Sequence, residues 1–503
     1  MRSSVWSKPT AKDGRWFTNS ASQLFIIVTI LVALLVGVLA DVVLGLFGLY
    51  ASVLIISSII MALIFILRQD ELAAALIIAV HLNVDWYLGF RVISLAMTLA
   101  LLCSCYIGRS SMRPWVRPRS LWLWLLFLGL TIIPAIRGAT NLYDTLFYYP
   151  NIIFGALLMF WMGTIIARSP ASIRLFFSML SVYCTLVAIH TIIQARTGIF
   201  LFGSEHLSTY IANQANNHLP GHLDVARVGS FFIDPDWAGT FFAMAIFIPI
   251  GLLVESSSPL AKVLYLTEAV LISLALLFTY SAGSWLAASV AAVIFLVLLG
   301  GMRYRVQFLV CLTAAAIVVL IGFSSHLNLL LEHASDPIEL SSRVGAWQTA
   351  LRVVTAFPLT GVGLGGQAYL LNAVPYFVPE QLIPLGHPHN SYLEIAAMAG
   401  LPVLFVLAAI LVLNMRWALH NWTLSDPGNR CLFAAGLAAV ITLSFNSFSV
   451  NAWTLPPLSA IGWVILGCLS SPLLTKSQVG QTTKVQHERG LIPSMKPGME
   501  REG

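Results

Sequence analysis

Long apolar runs separated by short polar stretches dominate the chain, and fourteen of them reach or approach the length of a membrane span. A bilayer core requires roughly 20 mostly apolar residues per helix, and lipid offers no partner to the backbone groups of an open strand. The pattern therefore predicts an all-α polytopic membrane protein with about 12–14 transmembrane helices. The predicted spans are residues 23–40, 46–67, 72–86, 89–106, 121–136, 147–167, 175–193, 236–254, 261–280, 284–300, 306–323, 394–414, 431–449 and 452–470, of which the third and fourth are the weakest.

Composition supports the same class. The chain has 503 residues, of which 58% are hydrophobic and 10% are charged, whereas about a quarter of the residues of a soluble domain are charged. We therefore expect an integral membrane protein rather than a soluble enzyme with an apolar core.

The positions of lysine and arginine predict the orientation. With fourteen spans, 21 of the 27 basic residues fall on one side of the membrane, and positive charge is retained on the cytoplasmic side. We expect both termini in the cytoplasm. Topology then accounts for most of the net charge of +6, and no nucleic-acid partner is implied.

This topology divides the chain into seven parts. They are a cytoplasmic segment 1–22, transmembrane helices 23–193, a periplasmic loop 194–235, central transmembrane helices 236–323, a large periplasmic loop 324–393, C-terminal transmembrane helices 394–470 and a cytoplasmic tail 471–503. The two periplasmic loops carry seven of the eleven histidines. We expect function to reside in these loops.

Several common devices are missing from the sequence. It contains no GxxxxGK[ST] phosphate loop and no dinucleotide fingerprint, so we expect no nucleotide cofactor. All six cysteines lie in or at the ends of apolar runs, which argues against a disulfide framework. A catalyst at the outer face would then take its energy from the substrate, and a sugar linked to a lipid diphosphate supplies both an activated bond and an anionic group.

The segment GHPHNSYLEIAAMAG, residues 386–400, concentrates polar side chains before an apolar run. A neutral imidazole accepts a proton near pH 7 when a neighbour fixes its tautomer, so His389 is the candidate base and Glu394 the candidate neighbour. The alternative is structural, with Asn390 or Ser391 capping the helix that follows. His387 and His389 alone make an incomplete metal site, and we expect no metal.

Three segments carry a family resemblance. His389-Asn390-Ser391-Tyr392-Leu393-Glu394 resembles the H-N-x-x-L-E region of the bacterial O-antigen ligase and polymerase family. SSRVGAWQTALRVVTAFPLTGVGLGG, residues 341–366, resembles the arginine, tryptophan and P-x-x-GxGxG segment of that family. VARVGSFFIDPDWAG, residues 225–239, is similar to its R-V-x-G-x-F-x-x-P segment. The three blocks occur in the family's order and span residues 225–410, less than half of the chain.

The resemblance implies a membrane-embedded, metal-independent glycosyltransferase. Such enzymes take a glycan from undecaprenyl diphosphate at the periplasmic face and pass it to an acceptor hydroxyl. The acceptor is the end sugar of another lipid-linked repeat in polymerases and the lipid A core in ligases, while related enzymes glycosylate proteins. A protein that regulates chain length is a further partner that the family admits.

The resemblance also assigns roles to residues. Arg227 and Arg343 match family arginines and would hold the diphosphate, because the arginine fork binds phosphate through two parallel hydrogen bonds. Arg352 is a weaker candidate, nine residues further on. His387, Asn390 and Trp347 complete the predicted substrate site, with Trp347 stacking on a sugar. For Arg227 and Arg343 the alternative is a structural ion pair with Asp224, Asp234, Asp236 or Glu339.

One motif departs from the family. Between the ninth and tenth spans relatives, ligases especially, often read Ser-Arg-Gly, whereas this chain reads Tyr280-Ser281-Ala282-Gly283. Because the arginine is missing, the sequence favours a polymerase over a ligase.

Two further features leave alternatives open. The glycine-rich segment 361–366 is read as a tight turn that allows close backbone approach rather than as a phosphate cradle. Glu268 lies within the ninth predicted span, and an ionisable group there is by default a functional candidate. It supports a transporter of bicarbonate or another small anion, although the chain shows no repeat between its halves.

Overall fold

A computed structural model describes residues 70–82, 97–103, 116–138, 148–198, 218–219, 222–232, 234–299, 301–380 and 386–475. The predicted spans 23–40 and 46–67, most of 89–106, the segment 1–22 and the tail after residue 475 lie outside these ranges.

The described chain is helical apart from its turns and one short antiparallel hairpin, which confirms the predicted all-α class. The helices are α1 Asp70–Val80, α2 Leu121–Arg137, α3 Gly155–Ile166, α4 Pro170–Thr197, α5 Pro235–Ala245, α6 Phe247–Glu255, α7 Pro259–Phe278, α8 Ala282–Leu298, α9 Met302–Gly322, α10 Ser324–Ala334, α11 Pro337–Ala356, α12 Gly366–Ala373, α13 Ser391–Ala399, α14 Leu401–Leu424, α15 Arg430–Asn446 and α16 Pro456–Leu469. A π-helical turn Tyr149–Phe154 precedes α3, short 3-10 turns follow at Ser230–Phe232 and Val374–Tyr376, and strands β1 His218–Leu219 and β2 His222–Ala226 form the hairpin.

Six helical stretches of the described chain are long and apolar enough to cross a membrane. They are Tyr149–Ile166, Pro170–Thr197, Pro235–Glu255, Pro259–Phe278, Leu401–Leu424 and Pro456–Thr475, and α2, α8 and α15 are shorter apolar helices. The protein is therefore a multi-pass membrane protein. The total of fourteen spans stays a prediction.

Two predicted segments differ from the observed helices. The span predicted at 394–414 is two helices, because Gly400 has φ 92° and Pro402 follows it in the first turn of α14. The predicted loop 324–393 contains α10, α11 and α12. Helices of this kind are shorter or more polar than spans, so a search for apolar runs reads them as loop.

One end of the bundle gathers the segments that the sequence predicted to be periplasmic, and we call it the site end. The Ser391 N–H donates to the Ser447 carbonyl at 2.9 Å, and the Trp237 indole N–H donates to Asn451 Oδ1 at 3.0 Å. The start of α5, the start of α13 and the segment between α15 and α16 thus meet at this end.

The opposite end gathers the segments predicted to be cytoplasmic. Arg174, in the first turns of α4, pairs with Glu255 at the end of α6 and also reaches Asn429 before α15. The Trp422 indole donates to the Leu298 carbonyl at 3.1 Å, joining the ends of α14 and α8. The ends of α6, α8 and α14 and the starts of α4 and α15 thus lie at this end. The orientation of the bundle in the membrane stays a prediction.

The core of the bundle depends on close contact between α3 and α16. A Cβ added at Gly467 would lie 2.1 Å from the Phe160 carbonyl oxygen, and one at Gly163 would lie 2.1 Å from the Val464 carbonyl oxygen. Small residues let helix backbones approach in lipid, where packing rather than water exclusion drives association. Trp463 and Trp124 pack edge to face beside this contact with ring centroids 4.9 Å apart.

We expect Gly467→Val to destabilise the bundle, because the added side chain overlaps the backbone of α3. Overpacking of this kind costs about 1–3 kcal/mol, which thermal unfolding of the purified protein in detergent would show as a lower midpoint. Gly129→Val is the matched control, since no atom lies within 4 Å of a Cβ at Gly129. Equal midpoints for the two variants would contradict the close contact.

Candidate functional site

The site end brings together five segments that are distant in sequence. They are the start of α5 with the strand-to-helix segment before it, the turn 279–281, α11, the segment 386–390 before α13, and the segment 447–455 between α15 and α16. All three sequence blocks that carry the family resemblance reach this end, through Arg227, Arg343 and His389.

A single carboxylate, Asp236, joins the two predicted arginines. Its Oδ1 accepts from Arg227 Nη2 at 2.8 Å, and its Oδ2 accepts from Arg343 Nη2 at 2.8 Å. The ion-pair alternative considered for these arginines is therefore present. Because the two arginines sit on the two oxygens of one carboxylate, they are held side by side at the start of α5.

The network continues into the large loop through Glu339. Arg343 Nη2 also donates to Glu339 Oε1 at 2.5 Å, and Glu339 Oε2 lies 3.0 Å from His333 Nε2. Burial raises the pKa of Glu339, but the hydrogen bond from His333 and the charge of Arg343 outweigh it and keep the pKa below its usual value. Glu339 is therefore a carboxylate at neutral pH.

The two arginines differ in what they can still bind. The Arg227 side chain is 10% exposed, and its Nε donates to the Thr279 carbonyl at 3.2 Å. The Arg343 side chain is 21% exposed, its Nη1 has a long 3.5 Å contact to the Ser449 carbonyl, and its Nε donates to no described residue. Arg343 therefore retains N–H donors for an anion, while Arg227 mainly secures the turn at 279.

His389 lies near this network with an unusual backbone. Its φ is 49°, in the left-handed region, and the three positive-φ residues other than glycine in the described chain are Ser230, Tyr280 and His389. Such conformations cost on the order of 1–3 kcal/mol and accumulate at functional sites. All three lie at the site end, where the surrounding structure holds them.

The charge state of His389 follows from burial. Burial lowers its pKa to about 4, and the positive charge of Arg343 acts in the same direction, while Asp236 and Glu339 oppose it. His387 packs edge-on against it with ring centroids 4.5 Å apart, and its Nδ1 accepts from the His389 N–H at 3.4 Å. Burial lowers the pKa of His387 to about 3. Both imidazoles are therefore neutral near pH 7.

Glu394 does not have the neighbour expected for it. Its Oε1 accepts from the Tyr148 hydroxyl at 3.0 Å and its Oε2 from the Thr454 hydroxyl at 2.7 Å. The structure gives no hydrogen bond between Glu394 and the His389 ring. The five-residue spacing misled because Asn390 starts α13 immediately after His389, and Glu394 then points into the bundle.

Asn390 takes the structural role that the sequence left open. Its Oδ1 accepts from the Tyr392 and Leu393 N–H groups at 3.0 Å, and its Nδ2 donates to the Phe448 carbonyl at 3.0 Å. Asn390 thus caps α13 and ties the segment that carries His389 to the end of α15.

Trp347 and Arg352 are placed differently on α11. Trp347 follows Arg343 by four residues and so shares its face, and its indole nitrogen is buried without a partner in the described structure. Arg352 is exposed and joins none of the ion pairs described above. Of the two, Trp347 lies with the network and Arg352 does not.

The first four backbone N–H groups of the glycine-rich segment 361–366 donate to carbonyls within the fold. The N–H groups of Val362, Gly363 and Leu364 donate to the carbonyls of Ala397, Met398 and Pro134. A Cβ at Gly361, where φ is 61°, would lie 2.3 Å from the Met398 carbonyl carbon. The segment therefore braces α13 against α2, as the tight-turn interpretation predicted.

The turn that lacks the family arginine is held by hydroxyl and amide groups. Ser281 and Ser284 hydroxyls are 2.8 Å apart, and Asn446 Nδ2 donates to Ser284 Oγ at 3.1 Å. Ala282 lies between these serines and is half-buried. Arg227, from another segment, supplies the guanidinium that contacts this turn at the Thr279 carbonyl.

Sequence reasoning did not give site roles to Asp236, Glu339 and His333. Asp236 and Glu339 entered only as ion-pair partners, and His333 entered only as one of the loop histidines. The signal was present in part, since Glu339 and Arg343 have the i,i+4 spacing of a helical ion pair. No group of three or more histidine, cysteine or acidic residues in the described chain is arranged to hold a metal ion.

Comparison with known families bears on this arrangement. Residues 269–408 match the model of the O-antigen ligase family. The match confirms the predicted resemblance. The matched residues include His333, Glu339, Arg343 and His389, but Arg227 and Asp236 lie outside them. No curated protein matches the chain. This match supports an activity of the ligase or polymerase type in general, in which a glycan passes from a lipid-linked donor to a glycan acceptor.

We expect Asp236→Asn to destabilise the fold at the site end, because it leaves two largely buried guanidinium groups without their shared carboxylate. Breaking a buried pair by neutralising one member costs on the order of 3 kcal/mol. Denaturant or thermal unfolding in detergent measures the change. Asp426→Asn is the control, since Asp426 is exposed and makes no ion pair among the described residues, and a similar loss in both variants would argue against the network.

Proposed function

We propose that the protein polymerises undecaprenyl-diphosphate-linked oligosaccharide repeats into a surface polysaccharide, an O-antigen or an exopolysaccharide. The observation that supports this most is the pairing of Arg343, which retains N–H donors, with His389, a neutral imidazole held beside the same charges. The Arg343 guanidinium can bind an anionic leaving group, and the His389 imidazole can accept the proton of an acceptor hydroxyl.

The reaction is a displacement at the anomeric carbon of the donor. The acceptor oxygen forms the new glycosidic bond while the bond between that carbon and the diphosphate oxygen breaks, and undecaprenyl diphosphate departs with the electron pair. His389 takes the hydroxyl proton as a general base. Arg343 stabilises the charge that develops on the diphosphate, since preorganised donors in a partly dry site are effective there. No metal takes part in this scheme.

Supporting roles follow from position. Trp347, on the Arg343 face of α11, offers a ring and an indole N–H to the glycan. His387 packs against His389 and fixes its ring, and Asn390 holds the segment by capping α13. Arg227 holds Asp236 and the turn at 279. Glu394 holds α13 to its neighbours through Tyr148 and Thr454 and does not transfer a proton in this scheme. Arg352 has no role in it.

A ligase is the second candidate, because the matching family model is that of the O-antigen ligase. Such an enzyme would transfer the finished lipid-linked chain to the lipid A core or to a protein. Ala282 stands where ligases especially often have arginine, and this favours the polymerase. Under either function the chain lies in the bacterial inner membrane, with both termini cytoplasmic and the site end periplasmic. A chain-length regulator is a proposed partner of the polymerase.

We expect cells that carry His389→Ala to accumulate single undecaprenyl-linked repeats, because the acceptor hydroxyl loses its base. The measurement is the profile of lipid-linked glycans at verified wild-type protein level in the membrane. His420→Ala is the matched control, since His420 is exposed near the opposite end of the bundle.

Other outcomes of that measurement are equally decisive. Accumulation of long lipid-linked chains would identify a ligase with the same base. A profile equal to that of wild type and of His420→Ala would show that His389 is not the base. It would favour the alternative suggested by Glu268, the transport of a small anion.

The pH dependence of turnover tests the charge state of His389. The working form is unprotonated, and a pKa of about 4 means that this form persists above pH 4 and is lost as the pH falls through that value. We therefore expect kcat/KM to be flat from about pH 5.5 to 7.5, well above the pKa. Removing the Arg343 charge in Arg343→Gln should move the acid limb to higher pH. A wild-type acid limb near 6.5, the ordinary histidine value, would contradict this assignment.

A further inference from the structure

His333 and Glu339 form a second pair beside the site that the proposed reaction does not use. His333 is the penultimate residue of α10, and Glu339 lies in the first turn of α11, so the pair closes the turn between the two helices. The His333 side chain is 7% exposed. Its Nδ1 is buried without a partner in the described structure, so Glu339 is the partner that orients the ring.

The two oxygens of Glu339 are divided between two partners. Oε1 accepts from Arg343 Nη2 at 2.5 Å, and Oε2 lies 3.0 Å from His333 Nε2. A carboxylate with both oxygens free pairs with a guanidinium through two parallel hydrogen bonds. Because His333 occupies Oε2, Glu339 gives Arg343 one oxygen only.

This division decides which Arg343 donors remain. Nη2 serves both Asp236 and Glu339, Nη1 makes the long contact with Ser449, and Nε donates to no described residue. If Glu339 turned both oxygens to the guanidinium, it would take up donors that a diphosphate needs. The Glu339 carboxylate would also lie closer to the Arg343 guanidinium, which already pairs with Asp236, and would repel an incoming anion.

We propose that His333 is a positioning residue that keeps Arg343 open to the lipid diphosphate by holding Glu339 in one-oxygen contact with it. His333 touches neither substrate nor reacting atoms in this scheme, and it acts through Glu339. The inference rests on the proposed function, because it names the residue that prepares the diphosphate site. In this scheme Glu339 competes with the substrate for the Arg343 guanidinium, and His333 restrains Glu339.

Binding of undecaprenyl diphosphate tests the inference. The full chain is placed in nanodiscs of phosphatidylethanolamine and phosphatidylglycerol, and the dissociation constant is measured by titration of tryptophan fluorescence. We expect His333→Ala to weaken binding about tenfold, since a freed Glu339 takes up charge-assisted hydrogen bonds that the ligand needs. His333→Gln should regain most of the loss, because its amide N–H can still donate to Glu339. His326→Ala, the same change on the same helix outside the network, should bind as wild type does.

The sign of the Glu339 variants separates this role from a structural one. Glu339→Gln removes the competing charge, so it should bind at least as tightly as wild type, and the double variant His333→Ala with Glu339→Gln should bind as Glu339→Gln does. If His333 only stabilised the fold, adding Glu339→Gln to His333→Ala would not restore the binding affinity. In turnover of lipid-linked repeats, His333→Ala should raise KM and leave kcat within about twofold, because the transition-state contacts remain.

Several results would overturn the inference. They are wild-type affinity in His333→Ala, a double variant as weak as His333→Ala, or a loss of affinity in Glu339→Gln. If His333→Ala does not fold, His333→Gln and Glu339→Gln decide the question, the latter by the direction of its change. A wild-type protein that does not bind undecaprenyl diphosphate would instead remove the proposed function, and this inference with it. Normal binding that Arg343→Gln weakens and the His333 and Glu339 variants leave unchanged would remove the inference alone.

Discussion

The site end of this protein depends on one buried carboxylate shared by two arginines. Asp236 receives one guanidinium on each oxygen, and in a low dielectric such a pairing is strong but leaves a costly charge if any member is removed. Because the three residues come from the segment before α5, from α5 itself and from α11, their pairing sets the distance between separate parts of the chain. The direction of the Arg343 donors follows from that placement.

The scaffold around this pairing combines close packing with local strain. Gly163 and Gly467 let α3 and α16 touch through their backbones. Gly361 lets the segment after α11 press on the end of α13, and Gly363 lets the same segment approach the end of α2. At the site end of this scaffold His389 has a φ of 49°, a costly conformation that persists only where the surrounding structure holds it. A rigid bundle thus maintains a strained segment at its end, which is the arrangement expected where a side chain must be held ready for chemistry.

Charge balance at the site end also has a functional meaning. Arg227 and Arg343 are matched by Asp236 and Glu339, so these four charges sum to zero before a ligand arrives. An anionic ligand would therefore compete with carboxylates for the Arg343 guanidinium rather than enter an excess of positive charge. The selectivity of such a site comes from which N–H groups remain unoccupied, and this links the position of Glu339 to the affinity for an anion.

The sequence by itself determined the membrane class and the long apolar helices, because apolar length acts locally along the chain. Three short blocks were enough to indicate the O-antigen ligase family, and they pointed to Arg227, Arg343 and His389. Only the tertiary structure decided the partners. Asp236 bridges residues more than 100 positions apart, Glu394 turns to Tyr148 and Thr454 instead of His389, and Gly400 splits a predicted span in two. Pairings of this kind are set by how helices pack and where each side chain points, which a one-dimensional pattern does not contain.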